Sequence, residues 1–288
     1  EKLLFLPYYF GVGNFSHLFN KQHFKRMKDK LEILLSCMYQ TDDIIKRSNI
    51  KCNATVVNQC DKDEKRIISN EGIGGTCKIN WIDSTKRGLS RSRNLALYSA
   101  SCDYCLISDD DEVFVDDVDK IIEKAFKDNP KSDVLIFKLN NWETKCPSHT
   151  KNVGYIQAMR TASYQIAFRR TKIKEKNISF DEEMGSGTGH GAGEECKFLF
   201  TCLRKGLRLT FVPETIATLQ AGSDSQWFSG YDCKYFFWHG WATKRILGTP
   251  LAMVYALYTA VTKYRVYSEN LSAISATRQM LKGIFYKK

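Results

Sequence analysis

The chain has 288 residues, 43% of them apolar, which suits one large α/β domain with an appendage, or two small domains, and excludes wholesale disorder. A formal net charge of +11 implies an anionic partner, whether nucleotide, nucleic acid or lipid headgroup. No segment reaches the roughly 18–20 apolar residues of a membrane span. The opening Glu1-Lys2, with an apolar run broken at Pro7, is unlike a secretory signal. The expected location is therefore the cytoplasm or, peripherally, the cytosolic face of the cell membrane.

Residues 1–30 read as an N-terminal extension, aromatic-rich and then basic from Lys21 to Lys30, the basic part helical. Glu32–Met38 is too apolar for simple alternation and predicts a buried parallel strand. Thr41-Asp42-Asp43 predicts a helix start, with Thr41 or Asp42 as cap. Ala54–Val57 is the next strand, running into Asn58-Gln59-Cys60-Asp61. Strand, helix and strand form a βαβ unit and imply a parallel sheet. A turn-rich stretch from Asn70 to Gly75 leads to a short strand at Lys78–Ile82, a helix over Ser90–Ala100 and a strand at Asp103–Ile107. Cys102-x-x-Cys105 overlaps this last strand. It has no second pair with which to hold zinc, and the ten cysteines lack a disulfide rhythm, so the thiols are expected to pack in a reducing compartment.

Val115–Asn129 predicts a helix ended by Pro130, and Asp133–Phe137 a strand. Gly154–Arg170 is aromatic and basic, and its structure cannot be read from the sequence. Gly185 to Gly193 has glycine at every second position and lacks the Gly-Lys-Ser/Thr ending of a phosphate loop; it reads as a flexible loop that closes over substrates. A helix over Glu194–Lys205 and a strand over Leu207–Val212 follow.

The strand at Tyr104–Ile107 ends in four acids, Asp109, Asp110, Asp111 and Glu112. Such a run either ends a strand in solvent or holds a cation, and carboxylate oxygens suit Mg²⁺ or Mn²⁺ bridging to a substrate phosphate. In open α/β sheets ligands sit at the carboxyl ends of strands, where these acids fall. Upstream stands Gly88-x-Ser90-x-x-Arg93-Asn94. Downstream come Gly193-Glu194-Glu195, Arg204-Lys205-Gly206 and Val212-Pro213-Glu214. In this order and at these spacings the segments resemble the family-2 glycosyltransferases of the GT-A fold over roughly residues 31–220.

The resemblance implies an α/β fold, a GT-A-like mostly parallel sheet flanked by helices, with a helical C-terminal appendage. The divisions would be an extension (1–30), a catalytic domain (31–225) and an aromatic, basic helical region (226–288). It implies a metal-dependent, inverting glycosyltransferase of hexosyltransferase type. The donor would be a nucleoside-diphosphate sugar, UDP-sugar favoured, and the acceptor a saccharide or lipid-linked molecule in surface polysaccharide synthesis. Asp111 would bind Mn²⁺ or Mg²⁺ directly, Asp109 would support metal or ribose, and Asp110 would lie beside the nucleotide. Ser36, Cys37 and Tyr39, with Asn58 and Gln59, would hold the nucleoside; the two amides stand where the family usually has acids. Arg93 would lie nearest base or phosphates, unless it is an ordinary helix-surface arginine.

Glu195 matches the Asp of the family's Glu-Asp pair and is the expected catalytic base, with Glu194 as second candidate. A carboxylate at a helix N-terminus is also stabilised without catalysis. His190 and Trp227 are candidate contacts to sugar, or packing residues. The metal-binding histidine that follows Pro-Glu in many members is absent from Pro213–Gln220, which leaves a third protein ligand unassigned.

In the tail, Thr249-Pro250 predicts an N-cap and N1 pair opening an apolar helix over Leu251–Val261. A second helix from Ser268 carries Leu271, Ile274, Leu281 and Phe285 roughly on one side. After Trp241 the sole acid is Glu269, against eight basic residues. Apolar faces with basic flanks suit an anionic membrane surface or a homo-oligomer interface. A nucleic-acid-binding protein is the alternative from charge alone. Against it, the acid cluster would repel phosphate and no nucleic-acid motif occurs. A nucleotide-sugar-binding scaffold without catalysis is disfavoured by the intact acids and Glu195.

Overall fold

The computed structural model describes residues 30–72, 75–141, 146–190, 193–220 and 230–287. The predicted N-terminal helix and Trp227 lie outside them. The described strands are β1 (Leu31–Met38), β2 (Asn53–Gln59), β3 (Glu64–Gly72), β4 (Gly75–Ser84), β5 (Tyr104–Ser108), β6 (Glu112–Phe114), β7 (Val134–Asn140), β8 (Lys151–Asn152), β9 (Ile166–Arg169) and β10 (Leu209–Leu219). They form one sheet in the order β3-β4-β2-β1-β5-β9-β7-β10-β6, with β8 added on β10. The helices are α1 (Asp43–Arg47), α2 (Leu89–Ser99), α3 (Val118–Asp128), α4 (Tyr155–Ala158), α5 (Arg170–Glu175), α6 (Glu194–Arg204), α7 (Cys233–Leu247), α8 (Thr249–Thr262), α9 (Tyr264–Tyr267) and α10 (Ala273–Phe285).

The sheet is mixed. β4, β2, β1 and β5 pair in parallel, as do β7 and β10, and β9 runs antiparallel between β5 and β7. Six strands therefore point one way, and their carboxyl ends share one edge. Along β1 the side chains alternate between two cores. Leu34 joins Val57, Ile107 and the helix residues Leu97, Phe198 and Leu199, whereas Ile33 and Leu35 join Val56, Ile122 and Phe126. With both faces covered by helices, the strands must be apolar on both sides, which is why their sequences do not alternate.

Several expectations are corrected by tertiary pairing. The charged segment Glu64–Gly72, read as no element, is an edge strand whose hairpin with β4 closes at Gly72 and Gly75, inside the expected turn. The helix expected from Val115 starts at Val118, because Glu112–Phe114 pairs with β10 and Val115 N–H bonds Ile216 O at 3.0 Å. Gly154–Arg170 contains α4, a 3₁₀ turn at Ser163–Gln165 and the central strand β9. β10 continues through Pro213 to Leu219 by register shifts against β7. The cap of α8 is Gly248, and Thr249 lies inside the helix. In α10, Ile274 and Phe285 are exposed, and the buried side is Ala276, Met280, Gly283 and Ile284.

The aromatic run Tyr235–Trp241 forms α7, which serves two cores. Phe236 packs with Tyr267 and Met280 in a C-terminal cluster, while Trp241, Ala242 and Ile246 enter the core under the sheet. α7 and α10 cross at Gly240 and Gly283, so closely that a Cβ at Gly240 would lie 2.7 Å from Met280 Cα, and one at Gly283 2.9 Å from Trp241 N. All ten cysteines are free, and nine of them are buried or half-buried.

Candidate active site

The acid turn leaves β5 at the buried Ser108 and returns as β6, whose pairing with β10 fixes its far side. Asp109 N–H donates to Glu112 Oε1 at 3.0 Å, and Gln220 N–H donates to Asp111 O at 2.9 Å. Glu112 is fully buried. Burial and the nearby Asp109 push its carboxyl well above the usual range, so it acts as an internal brace of the turn. Asp110 is also raised by burial, and its Oδ2 accepts from Gln40 Nε2 at 3.0 Å. Asp109, Asp110 and Asp111 are half-buried at the strand edge.

Arg93 is the hub of this edge. It enters from α2, 2% exposed. It donates to Asp109 Oδ1 and Oδ2 at 2.8 and 2.9 Å, to Ser163 Oγ at 2.7 Å and to Glu194 Oε1 at 2.8 Å. Ser163 Oγ in turn donates to Asp109 Oδ2 at 3.2 Å. Burial opposes the Arg93 charge, but Asp109 and Glu194 outweigh it and hold the guanidinium protonated. Four segments distant in sequence, α2, the acid turn, the 3₁₀ turn of Ser163 and the start of α6, thus meet on one side chain. The reading of Arg93 as a surface residue is excluded by its burial.

Glu194 and Glu195 part company at the start of α6. Glu194 is buried against Arg93, and its Oε2 accepts from Gly193 N–H at 3.1 Å. Glu195 is half-buried and lines a cavity of about 570 Å³ between the glycine loop, α6 and α7. Burial, and then the Glu194 charge, push its carboxyl up to about 8. The glycine loop is tied to α2: Leu89 N–H donates to Ser186 O at 3.0 Å and Ser90 Oγ to Met184 O at 2.7 Å. Gly187, at φ +83°, passes so close that a Cβ would lie 3.3 Å from Gly88 Cα. His190 packs against Trp238 and Trp241, with ring centroids 4.9 and 5.0 Å away, and its Nδ1 lies 3.0 Å from Glu183 O.

At the ends of β1, β2 and β4 is a second hollow, open to solvent, lined by Tyr39, Asp42, Asn58, Lys62, Arg66 and Asp83. Tyr39 adopts φ 51°, uncommon for a bulky residue, held by its N–H to Gln59 O at 3.1 Å and its hydroxyl to Asp61 Oδ1 at 2.8 Å. Asn58 and Gln59 sit at the strand end, but their amides serve the protein itself. Asn58 clamps the Gln40 backbone and donates to Asp83 Oδ1 at 2.8 Å, and Gln59 Oε1 accepts from Gly88 N–H at 2.8 Å. Ser36 is buried and accepts from Ser92 Oγ at 3.0 Å. Cys37 points into the opposite core, and burial raises its thiol above the ordinary range.

Asp83 and Ser163 are the residues that sequence reasoning missed. Burial works to raise Asp83, yet hydrogen bonds from Trp81, Asn58, Lys62 and Cys60 hold it at about 2. Arg66 adds an ion pair at 3.1 Å. The signal for Asp83 was there, an acid directly after the apolar strand Lys78–Ile82. Ser163 had none, since β9 itself went unread.

Residues 34–191, more than half of the chain, match the family described as Glycosyl transferase family 2. Among solved structures, S. aureus TarS 1–349 is similar at 15% identity and TM-score 0.59, covering 89% of this chain and 81% of that one. TarS 1–349 in complex with UDP-GlcNAc gives 16% identity and TM-score 0.59 over 88% and 81% of the two chains. The complex with UDP gives 14% and 0.57 over 89% and 81%. At these identities the likeness shows a shared fold. No curated protein sequence matches the chain.

Proposed function

The chain belongs to glycosyltransferase family 2 and is a glycosyltransferase, and from that premise we propose that it moves a sugar from a nucleoside diphosphate, UDP favoured, to a saccharide or lipid-linked acceptor with inversion at the anomeric carbon. The observation that carries the reading is the Arg93 hub, which fixes Asp109 and the start of the Glu195 helix on one guanidinium. TarS was solved with UDP-GlcNAc and with UDP, which supports a nucleotide-sugar donor.

The donor set fits a divalent cation. Asp109 and Asp111 supply hard oxygens, and no cluster of three or more His, Cys, Asp or Glu side chains closes around a metal among the described residues. Carboxylate oxygens suit Mg²⁺ or Mn²⁺, and Mg²⁺ commonly takes one or two carboxylates together with substrate phosphates. When bound, the cation would neutralise charge on the departing diphosphate. Arg93 holds Asp109 at the strand edge. The hollow lined by Tyr39, Arg66 and Asp83 would receive the nucleoside. Glu195, raised towards neutrality, takes the proton from the acceptor hydroxyl as its oxygen attacks the anomeric carbon from the face opposite the leaving diphosphate, a single displacement that inverts the centre. The free, mostly buried cysteines accord with a reducing compartment and hence with a cytoplasmic enzyme. Surface polysaccharide synthesis is the process in which such an acceptor would be met.

Donor hydrolysis and transfer should be measured with UDP- and GDP-sugars, with and without Mn²⁺ or Mg²⁺. Asp111→Asn should abolish the metal response, and Glu195→Gln should reduce transfer by about 10²–10⁴-fold. Wild-type protein that turns over no nucleotide sugar, or an Asp111→Asn variant with unchanged metal response, would refute these assignments.

A further inference from the structure

α8 is built with its polarity reversed. The side packed on its neighbours carries the small residues Ala252, Ala256, Thr259 and Ala260. The opposite side exposes Leu251, Val254, Leu257, Tyr258 and Val261, the last 75% exposed. Positions 251, 254, 258 and 261 recur at helical spacing and form one stripe. Tyr264 and Val266, both exposed, extend the apolar surface through α9. A folded domain gains by burying its large side chains, so a contiguous apolar stripe left outside marks a contact surface.

Charge identifies what covers it. From Ala242 to Lys288 the sequence has eight basic residues and one acid, Glu269. Arg245 is engaged by Asp181 and Glu183, whereas Lys263 and Arg265, at the end of the stripe, are exposed. The outer side of α10 adds exposed Arg278 and Lys282 at helical spacing. A second copy would bring the same cations face to face. An anionic bilayer offers an apolar layer beneath a negative surface, matching both features. No helix among the described residues is long and apolar enough to cross a membrane, so the contact lies in the plane of the bilayer.

We propose that the outer stripe of α8, with α9, inserts into the interface of an anionic lipid bilayer, flanked by Lys263 and Arg265. The same helix contributes Tyr255 to the wall of the Glu195 cavity, so that cavity is held beside the membrane surface.

The test is sedimentation of the full chain with vesicles of phosphatidylcholine alone and of roughly 3:1 phosphatidylcholine to phosphatidylglycerol, across a salt series. Binding to the anionic vesicles, weakening with salt and much poorer to the neutral ones, is expected. Val254→Glu/Val261→Glu should abolish it, and Lys263→Gln/Arg265→Gln should weaken it about 30-fold, at roughly a factor of five per charge. Thermal melting and donor hydrolysis should stay unchanged in both variants, which separates a failure here from a failure of the enzymatic assignment. No binding to either vesicle, equal binding to both, or self-association in buffer that Val254→Glu/Val261→Glu removes, would overturn the proposal.

Discussion

Replacing Arg93 by Met keeps most of the buried volume and removes the charge that joins four segments. In the native protein the guanidinium bonds Glu194 at 2.8 Å, Asp109 at 2.8 and 2.9 Å and Ser163 at 2.7 Å. Without it, the Glu194 side chain, 6% exposed, keeps its bond from Gly193 N–H but loses its countercharge. Removing one partner of a buried ion pair costs about 3–5 kcal/mol. Asp109 is 23% exposed and can rehydrate, so its share is smaller. The expected loss of about 3–5 kcal/mol is a large part of a domain stability of about 5–15 kcal/mol. The double variant Arg93→Met/Glu194→Gln removes both buried charges and should recover about 2–3 kcal/mol of it. Urea unfolding followed by tryptophan fluorescence on wild type, both single variants and the double variant measures this coupling. A loss below about 1 kcal/mol for Arg93→Met, or no recovery in the double variant, would refute the picture of a buried hub.

Gly283→Ala or Gly240→Ala should destabilise the protein by about 1–3 kcal/mol or more, because α7 and α10 must separate to admit a methyl group; a melting scan checks it. With Glu195 at about 8, transfer should rise with pH through that value, and Glu195→Gln should lose the dependence with its rate. The linked stability has the opposite sign. A carboxyl raised in the folded state favours folding while protonated, and this is lost as pH rises from its ordinary 4.5 through about 8, so Glu195→Gln should melt above wild type on the alkaline side. Asp83 is the reverse case, lowered from 3.8 to about 2. Its contribution is present above the ordinary value and disappears as pH falls through about 2, so Asp83→Ala should be markedly less stable than wild type at neutral pH and converge with it in acid. Isothermal titration with UDP should also show weaker binding to Asp83→Ala.

The strands β1, β2, β5 and β7 were legible because buried parallel strands are runs of apolar residues that few other structures produce. The acid turn was legible as well, since four adjacent carboxylates stand out against any background. β3 and β9 were not. β3 is a charged edge whose only claim to be a strand is its hydrogen-bonded pairing with β4, and β9 is four residues long, defined by β5 and β7 on either side. The expected stripe of α10 failed for a related reason. Periodicity finds an apolar side, but Gly240 and Gly283 let two backbones touch, and the face of closest approach became the buried one.

The amino-acid sequence by itself determined the α/β class, the order of the main elements and the residue types at the strand ends, because these follow from local patterns and short motifs. Only the tertiary structure decided what each of those residues does. Neighbouring Glu194 and Glu195 are alike in sequence, yet one is buried against Arg93 and the other faces a cavity, because side chains one position apart on a helix point about 100° apart. Asn58 and Gln59 looked available at a strand end, and their amides went to Gln40, Asp83 and Gly88 once the neighbouring strands and α2 closed around them. Burial, countercharge and hydrogen-bond partners are relations between residues distant in the chain, and they exist only when the fold has brought those residues together.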